Sequence, residues 1–203
     1  MNKDNILAVV LAGGRSRRFG RDKSEVILGD KTLLEHMLSK IKLNLNKIII
    51  VSNNNNIKDQ TIIKDCIEGQ LGPLVGVLSA MKWAKINQPN CNWIVTFPCD
   101  TPFFDISIID SFIRVSKKND SLLYFAKSKG RRHNIFGLWS TKLMKILEED
   151  IIKNNYRKVE EWANKIGVKT VSDPSYKFNT FFNINTKEEL AEAEKILKDF
   201  KND

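Results

Sequence analysis

Residues 11 to 23 read Leu11-Ala12-Gly13-Gly14-Arg15-Ser16-Arg17-Arg18-Phe19-Gly20-Arg21-Asp22-Lys23, and they close an apolar run that begins at Ile6. The run is short and nearly unbroken, as expected of a strand buried on both faces. It stops at Gly13-Gly14, and the nine residues after that pair hold Arg15, Arg17, Arg18, Arg21 and Lys23 against a lone Asp22. Glycine has no Cβ to keep a ligand away from the backbone. A strand that ends in such a turn offers several N–H groups at one point, a cradle for anionic oxygen. With cations close behind it, the stretch suits a ligand of several negative charges, such as a nucleoside triphosphate. The same residues also suit an ordinary turn before a solvated basic loop. Two common phosphate motifs do not fit. Five residues separate Gly14 from Gly20, with Lys23 beyond, and Gly13 and Gly14 are adjacent rather than spaced as G-x-G-x-x-G.

Outward from this stretch, apolar runs and helical spacings alternate. Further strands are expected at 47–51, 61–63, 93–97, 122–126, 134–139, 168–171 and 181–184. Helices are expected over 31–43, where Leu33, Leu34, Met37, Leu38 and Ile41 recur at helical spacing, and over 74–86, with Leu74, Val77, Leu78 and Met81 on one face. Others are expected through Ile106, Ile109, Phe112 and Ile113, near 141–150, near 156–166, and from Thr186. There Thr186-Lys187-Glu188-Glu189 makes a capping box, in which hydroxyl and carboxylate satisfy each other's exposed N–H groups. Strands separated by helices imply an α/β fold with a mainly parallel sheet. No repeat or low-complexity linker divides the chain, so one domain over 1–203 is expected.

Bulk composition narrows the class. The chain has 203 residues, 42% hydrophobic and 28% charged, the balance of a soluble globular protein. Asp4 interrupts the N-terminal segment and Ile6–Leu11 is too short for a signal peptide. No apolar run approaches the ~20 residues that span a bilayer. Cys66, Cys91 and Cys99 are too few and too irregular for a disulfide framework or a CxxC metal site, which points to a reducing, cytoplasmic location. The net charge of +9 favours anionic partners without choosing among nucleotides, nucleic acid and membrane surface. No nucleic-acid motif is present, and no aromatic residues interleave with the basic ones.

In open α/β sheets, ligands lie beyond the carboxyl ends of the strands. Every expected strand of the first half ends in polar residues: the glycine turn, then Ser52 and Asn53-Asn54-Asn55-Asn56, then Lys64-Asp65, then Pro98-Cys99-Asp100-Thr101-Pro102. Asp100 is the residue best suited to hold Mg²⁺, a hard ion that takes one or two carboxylates besides phosphate and water. It also suits a simple cap of the following turn. Gly72-Pro73-Leu74-Val75-Gly76 opens a helix, aiming free N–H groups and the positive dipole end at a ligand. Cys99 has no paired histidine in sequence and reads as a small buried thiol.

The thirteen-residue stretch resembles the L-A-G-G-x-S-x-R-[MF]-G-x-D-K signature of the MobA-like nucleotidyltransferases, and within them the molybdenum cofactor guanylyltransferases. Asp65, Gly72-Pro73-Leu74-Val75-Gly76, Pro98-Cys99-Asp100-Thr101-Pro102 and Phe182-Asn183-Ile184-Asn185-Thr186 carry the resemblance downstream. It implies a three-layer fold of the Rossmann-like, nucleotide-diphospho-sugar transferase type, with a mainly parallel, mixed sheet flanked by helices. It implies transfer of GMP from GTP to the phosphate of molybdenum-loaded molybdopterin, with release of pyrophosphate and with Mg²⁺ on Asp100. Leu11, Ala12, Gly13, Gly14, Lys23, Asn53, Asp65, Gly72, Gly76 and Asp100 would then bind nucleotide, and Asn183 and Asn185 the acceptor. Arg18 and Lys23 would offset charge on the leaving group. Ser52 competes with Asn53, because the amide run allows a slip of one position. Lys127, Lys129, Arg131, Arg132 and His133 suit either the acceptor phosphate or a solvated loop; the usual family H-P pair is replaced by His133-Asn134. Proteins of molybdenum cofactor biosynthesis and molybdoenzyme chaperones are the partners implied, for a monomer or weak homo-oligomer without nucleic-acid or membrane partners. CTP, or another phosphate acceptor, remains an alternative at this point, and so, behind it, does a non-catalytic basic module that binds nucleic acid.

Overall fold

Ile6, Leu7, Ala8, Val9 and Val10 are all buried, because the strand they form has a neighbour on each side and helices on each face. The computed structural model describes residues 1–13, 22–53, 57, 59–69, 71–173 and 180–202. In chain order it contains β1 (Ile6–Leu11), a hairpin of β2 (Ile27–Leu28) and β3 (Lys31–Thr32), α1 (Leu33–Ile41), β4 (Ile48–Val51), β5 (Thr61–Ile63), α2 (Pro73–Asn87) and β6 (Trp93–Pro98). There follow α3 (Ile108–Ser116), β7 (Leu123–Ser128), β8 (Arg131–Ser140), α4 (Met144–Ile152), α5 (Val159–Ile166), β9 (Lys169–Ser172) and α6 (Lys187–Asn202).

Seven strands form one mixed sheet in the order β5-β4-β1-β6-β8-β7-β9, and β8 alone runs against the others. Side chains alternate across the sheet. Ile6, Ala8 and Val10 join α1 and α3 in one core, while Leu7 and Val9 join α2, α4 and α5 in another. A three-layer α/β architecture results. Val26, Leu28, Phe103, Ile184 and Ala193 make a third, smaller cluster where the β2–β3 hairpin meets α6. Thr32 and Glu35 form a capping box that starts α1: Thr32 Oγ1 accepts from Glu35 N at 3.1 Å and Thr32 N donates to Glu35 Oε2 at 2.7 Å.

Two expectations need correction. Residues 181–184 are not a strand. Phe181 packs into the first core and Ile184 into the third, so this segment is a strap tied down by side chains rather than by a ladder. The short β2–β3 hairpin, which periodicity does not reveal, takes the start of the helix expected over 31–43. The basic cluster at 127–133 forms the tip of the β7–β8 hairpin, paired Lys127↔Arg132 and Ser128↔Arg131 around a turn at Lys129-Gly130. Arg132 is drawn toward α5, where it donates to Asn164 Oδ1 at 2.9 Å. The departure at Asn134 is harmless to the sheet. The register jumps from Phe125↔Gly137 to Ala126↔His133, leaving 134–136 in a bulge where either proline or asparagine costs no ladder bond.

Candidate active site

The carboxyl ends of the four parallel strands in the first half of the chain form one row. Leu11 is in register with Val51 and with Pro98, and Val51 with Ile63. Backbone bonds extend the row by one residue: Ala12 N donates to Val51 O at 2.9 Å, Cys99 N to Leu11 O at 3.3 Å, and Ser52 N to Ile63 O at 3.0 Å. Gly13 and Asp100, far apart in sequence, therefore emerge side by side.

Between the strand ends and α2 lies a cleft of about 410 Å³, lined by Leu11, Ala12, Gly13, Asp22, Val51, Asn53, Asp65, Gly72, Pro73 and Gly76. Most of the residues expected to bind nucleotide meet here. Asn53 faces the cleft, whereas Ser52 is buried beneath it. Gly14 and Arg18 lie outside the described residues, as do Asn54, Asn55 and Asn56. Asp22, which the sequence reading passed over, lines the cleft and caps the short turn at 23–25, accepting from Ser24 N at 2.9 Å and Ser24 Oγ at 2.7 Å. Its signal was available: an Asp two residues before a Ser is a local capping pattern.

Two glycines shape the floor. Gly72 has φ +94° and ψ −178°, a conformation for glycine, and hands over to Pro73 at the first position of α2. At Gly76 a Cβ would meet Leu11 Cδ2 at 3.1 Å and Asp65 Oδ1 at 3.7 Å, so its absence lets α2 press on β1. Burial raises the Asp65 carboxyl above the ordinary carboxylate range.

Beside the cleft is a polar network. Lys23 Nζ donates to Asp100 Oδ2 and to Asn185 Oδ1, each at 2.6 Å. Thr101 Oγ1 donates to Asn183 Oδ1 at 2.7 Å and lies 3.1 Å from Asp100 Oδ1. Ile184 N donates to Asp100 O at 2.9 Å, stitching the strap to the end of β6. Both residues expected to bind the acceptor thus adjoin the carboxylate expected to hold metal. The Lys23 and Asp100 side chains are 16% and 17% exposed, sheltered yet reachable.

Asp100, Thr101, Asn183 and Asn185 present hard oxygen donors, which suit Mg²⁺ better than zinc. Burial pushes the neighbouring Cys99 thiol up to about 12, which removes it as a thiolate ligand or nucleophile. Among the described residues no group of three or more His, Cys, Asp or Glu is clustered to hold a metal. Neither histidine is near Cys99 in function: His36 Nε2 bonds Leu28 O at 2.8 Å, and His133 stacks on Phe181 with ring centroids 4.0 Å apart.

Comparison with known proteins agrees with this geometry. A family described as the MobA-like NTP transferase domain matches residues 8–166. The molybdenum cofactor guanylyltransferase of Rhizobium leguminosarum bv. trifolii (strain WSM2304) is 34% identical over 203 residues, covering 98% of this chain and 96% of that protein. The protein of the same name from Nitrobacter hamburgensis is 31% identical over 193 residues, with 93% and 92% covered. Among solved structures, molybdopterin-guanine dinucleotide biosynthesis protein A from Archaeoglobus fulgidus superposes with a TM-score of 0.78 at 23% identity, covering 95% of this chain and 98% of that one. The 4-diphosphocytidyl-2C-methyl-D-erythritol synthase of Anaerococcus prevotii shares the fold with a TM-score of 0.70 at 16% identity, with 97% and 98% covered.

Proposed function

The chain belongs to the MobA-like NTP transferase family, and from that premise we propose that it transfers GMP from GTP to the phosphate of molybdenum-loaded molybdopterin. The observation that carries this reading is the shared edge: Leu11 and Pro98 pair, and Cys99 N bonds Leu11 O, so the glycine turn and Asp100 can serve one nucleotide. The name borne by the relatives at 31–34% identity supports guanylyl transfer to this acceptor.

In the proposed reaction an acceptor phosphate oxygen attacks the α-phosphorus of GTP. A P–O bond forms there, the bond to the β-phosphate oxygen breaks, and pyrophosphate leaves with the electron pair. The acceptor oxygen is already ionised at neutral pH, so the protein's work is positioning and charge neutralisation. Backbone groups of Leu11–Gly13 hold base and phosphates. Among the described residues a Cβ at Gly13 would meet Val51 O alone, at 3.9 Å, so their packing does not demand the glycine, which suits close approach of a ligand to the backbone. Asn53, Asp65 and the first turn of α2 border the nucleoside; Lys23, with Arg18, offsets charge on the departing pyrophosphate. Asp100 would hold Mg²⁺, which supplies Lewis-acid polarisation of phosphate oxygen. Asn183 and Asn185 face the acceptor. A single catalytic domain in the cytoplasm completes the reading; among the described residues no helix is long and apolar enough to cross a membrane.

The test is pyrophosphate release from GTP and from CTP, each with and without molybdenum-loaded molybdopterin and Mg²⁺. Release with GTP, dependent on acceptor and metal, is expected. Equal or greater release with CTP overturns the assignment of the base, and none with either overturns the enzyme.

A further inference from the structure

The Lys23 ammonium joins two elements that the proposed reaction gives to different substrates. It donates to Asp100 Oδ2, on the nucleotide side, and to Asn185 Oδ1, on the acceptor side, each at 2.6 Å. The acceptor side of this bridge is held in place by its own backbone. Asn185 N and Thr186 N both donate to Glu189 Oε2, at 2.6 and 2.9 Å, and Glu189 N donates to Thr186 Oγ1 at 3.2 Å. The capping box of α6 therefore sets the position of an amide oxygen in the site. On the other side, Ile184 N and Asn183 Oδ1 tie the strap to Asp100 O and Thr101 Oγ1.

We infer that Lys23 is a latch between the two substrate sites: while it bridges Asp100 and Asn185 it keeps the Asn185 amide oxygen from the acceptor, and nucleotide loading draws it away. The inference rests on the reading of this site as one for GTP and Mg²⁺. Its ground is charge. The Lys23 ammonium lies 2.6 Å from one Asp100 carboxylate oxygen, so a divalent cation held by that carboxylate would be repelled by it, like charges at short range repelling strongly. The nucleotide phosphates bring a compensating negative charge, and the four-carbon stem of lysine can follow it. Asn185 Oδ1 then loses its donor and becomes available to N–H groups of the pterin. Glu189, whose carboxylate accepts from the Asn185 and Thr186 backbone, is a positioning residue that holds Asn185 in the bridging geometry. Coupling of this kind is reciprocal, so nucleotide favours acceptor binding and acceptor favours nucleotide binding.

The experiment is calorimetric titration of the whole protein with GTP and Mg²⁺, without acceptor and hence without turnover. Asn185→Leu keeps the volume and deletes the amide oxygen; Asn185→Ala deletes both; Glu189→Gln loosens the strap while leaving the amide intact. Removing a bond that loading must break lowers the Kd for GTP roughly fivefold in the two Asn185 variants, the worth of about one hydrogen bond. A smaller change in the same direction is expected for Glu189→Gln. Melting temperatures establish that each variant is folded, and the Glu189 variant serves if either change at 185 prevents folding. Unchanged or weaker GTP binding in folded variants overturns the latch and leaves the nucleotide site standing. Failure of the parent protein to bind GTP overturns the latch and the functional reading together.

Discussion

Replacing Asp100 with alanine separates the chemistry of the site from its stability. The change removes the acceptor of a 2.6 Å bond from Lys23 Nζ and leaves that ammonium its bond to Asn185 Oδ1. Breaking a deeply buried ion pair costs about 3–5 kcal/mol, whereas an exposed pair is worth about 0–1 kcal/mol. With side chains 16% and 17% exposed, this pair falls between the limits, at about 1–3 kcal/mol. Domains are stable by about 5–15 kcal/mol, so the variant remains folded. For a chain of this size the melting temperature falls by about 2–12 °C. Catalysis suffers far more. Loss of the carboxylate that holds the metal forfeits several kcal/mol of transition-state stabilisation, a fall of about a hundred- to a thousandfold or more in rate. The assay is pyrophosphate release across a Mg²⁺ series at fixed GTP and acceptor, run beside a thermal melt. A folded variant that turns over within tenfold of the parent, with the same Mg²⁺ half-saturation, refutes the role given to Asp100.

Two further changes probe the scaffold. Gly72→Ala forces a side chain onto a residue at φ +94°, while among the described residues its Cβ meets Arg157 O alone, at an ordinary 3.5 Å, so the cost is backbone strain of about 1–3 kcal/mol. Chemical denaturation should register that loss together with weaker GTP binding, and an unaltered midpoint with parental affinity rejects the turn as a constraint. The His133 imidazole is pulled down from 6.5 to about 4 by burial, aided by the Arg131 charge. Between those values the unfolded chain takes up a proton that the folded chain refuses. Stability is therefore complete above about pH 6.5 and declines as pH falls toward 4, by at most about 3 kcal/mol and, for a group only half buried, about 1–2 kcal/mol. Urea midpoints at pH 7 and 4.5 for the parent and His133→Gln check this; identical pH dependence in the two proteins contradicts it.

Much of the molecule is legible without coordinates. The strand Ile6–Leu11, the helix marked by Leu33 to Ile41, the α6 capping box and the strand ending at Pro98 follow from patterns of near neighbours, and the cleft gathers Leu11 to Gly13, Asn53, Asp65, Gly72 and Gly76 as their positions after strands lead one to expect. Residues 181–184 misled because apolar residues holding a strap against two cores look like a short strand in sequence. Ser52 and Asn53 were indistinguishable until the bond from Ser52 N to Ile63 O turned one inward and left the other facing the cleft.

The amino-acid sequence alone determined the periodic elements and the residue types at their ends, because side-chain repeats of 2 and about 3.6 are written within a few neighbouring positions. Tertiary structure alone decided that the Lys23 ammonium meets a carboxylate 77 residues away and an amide 162 residues away. Sheet order and the docking of the 181–185 strap create that meeting, and neither is encoded in any local spacing.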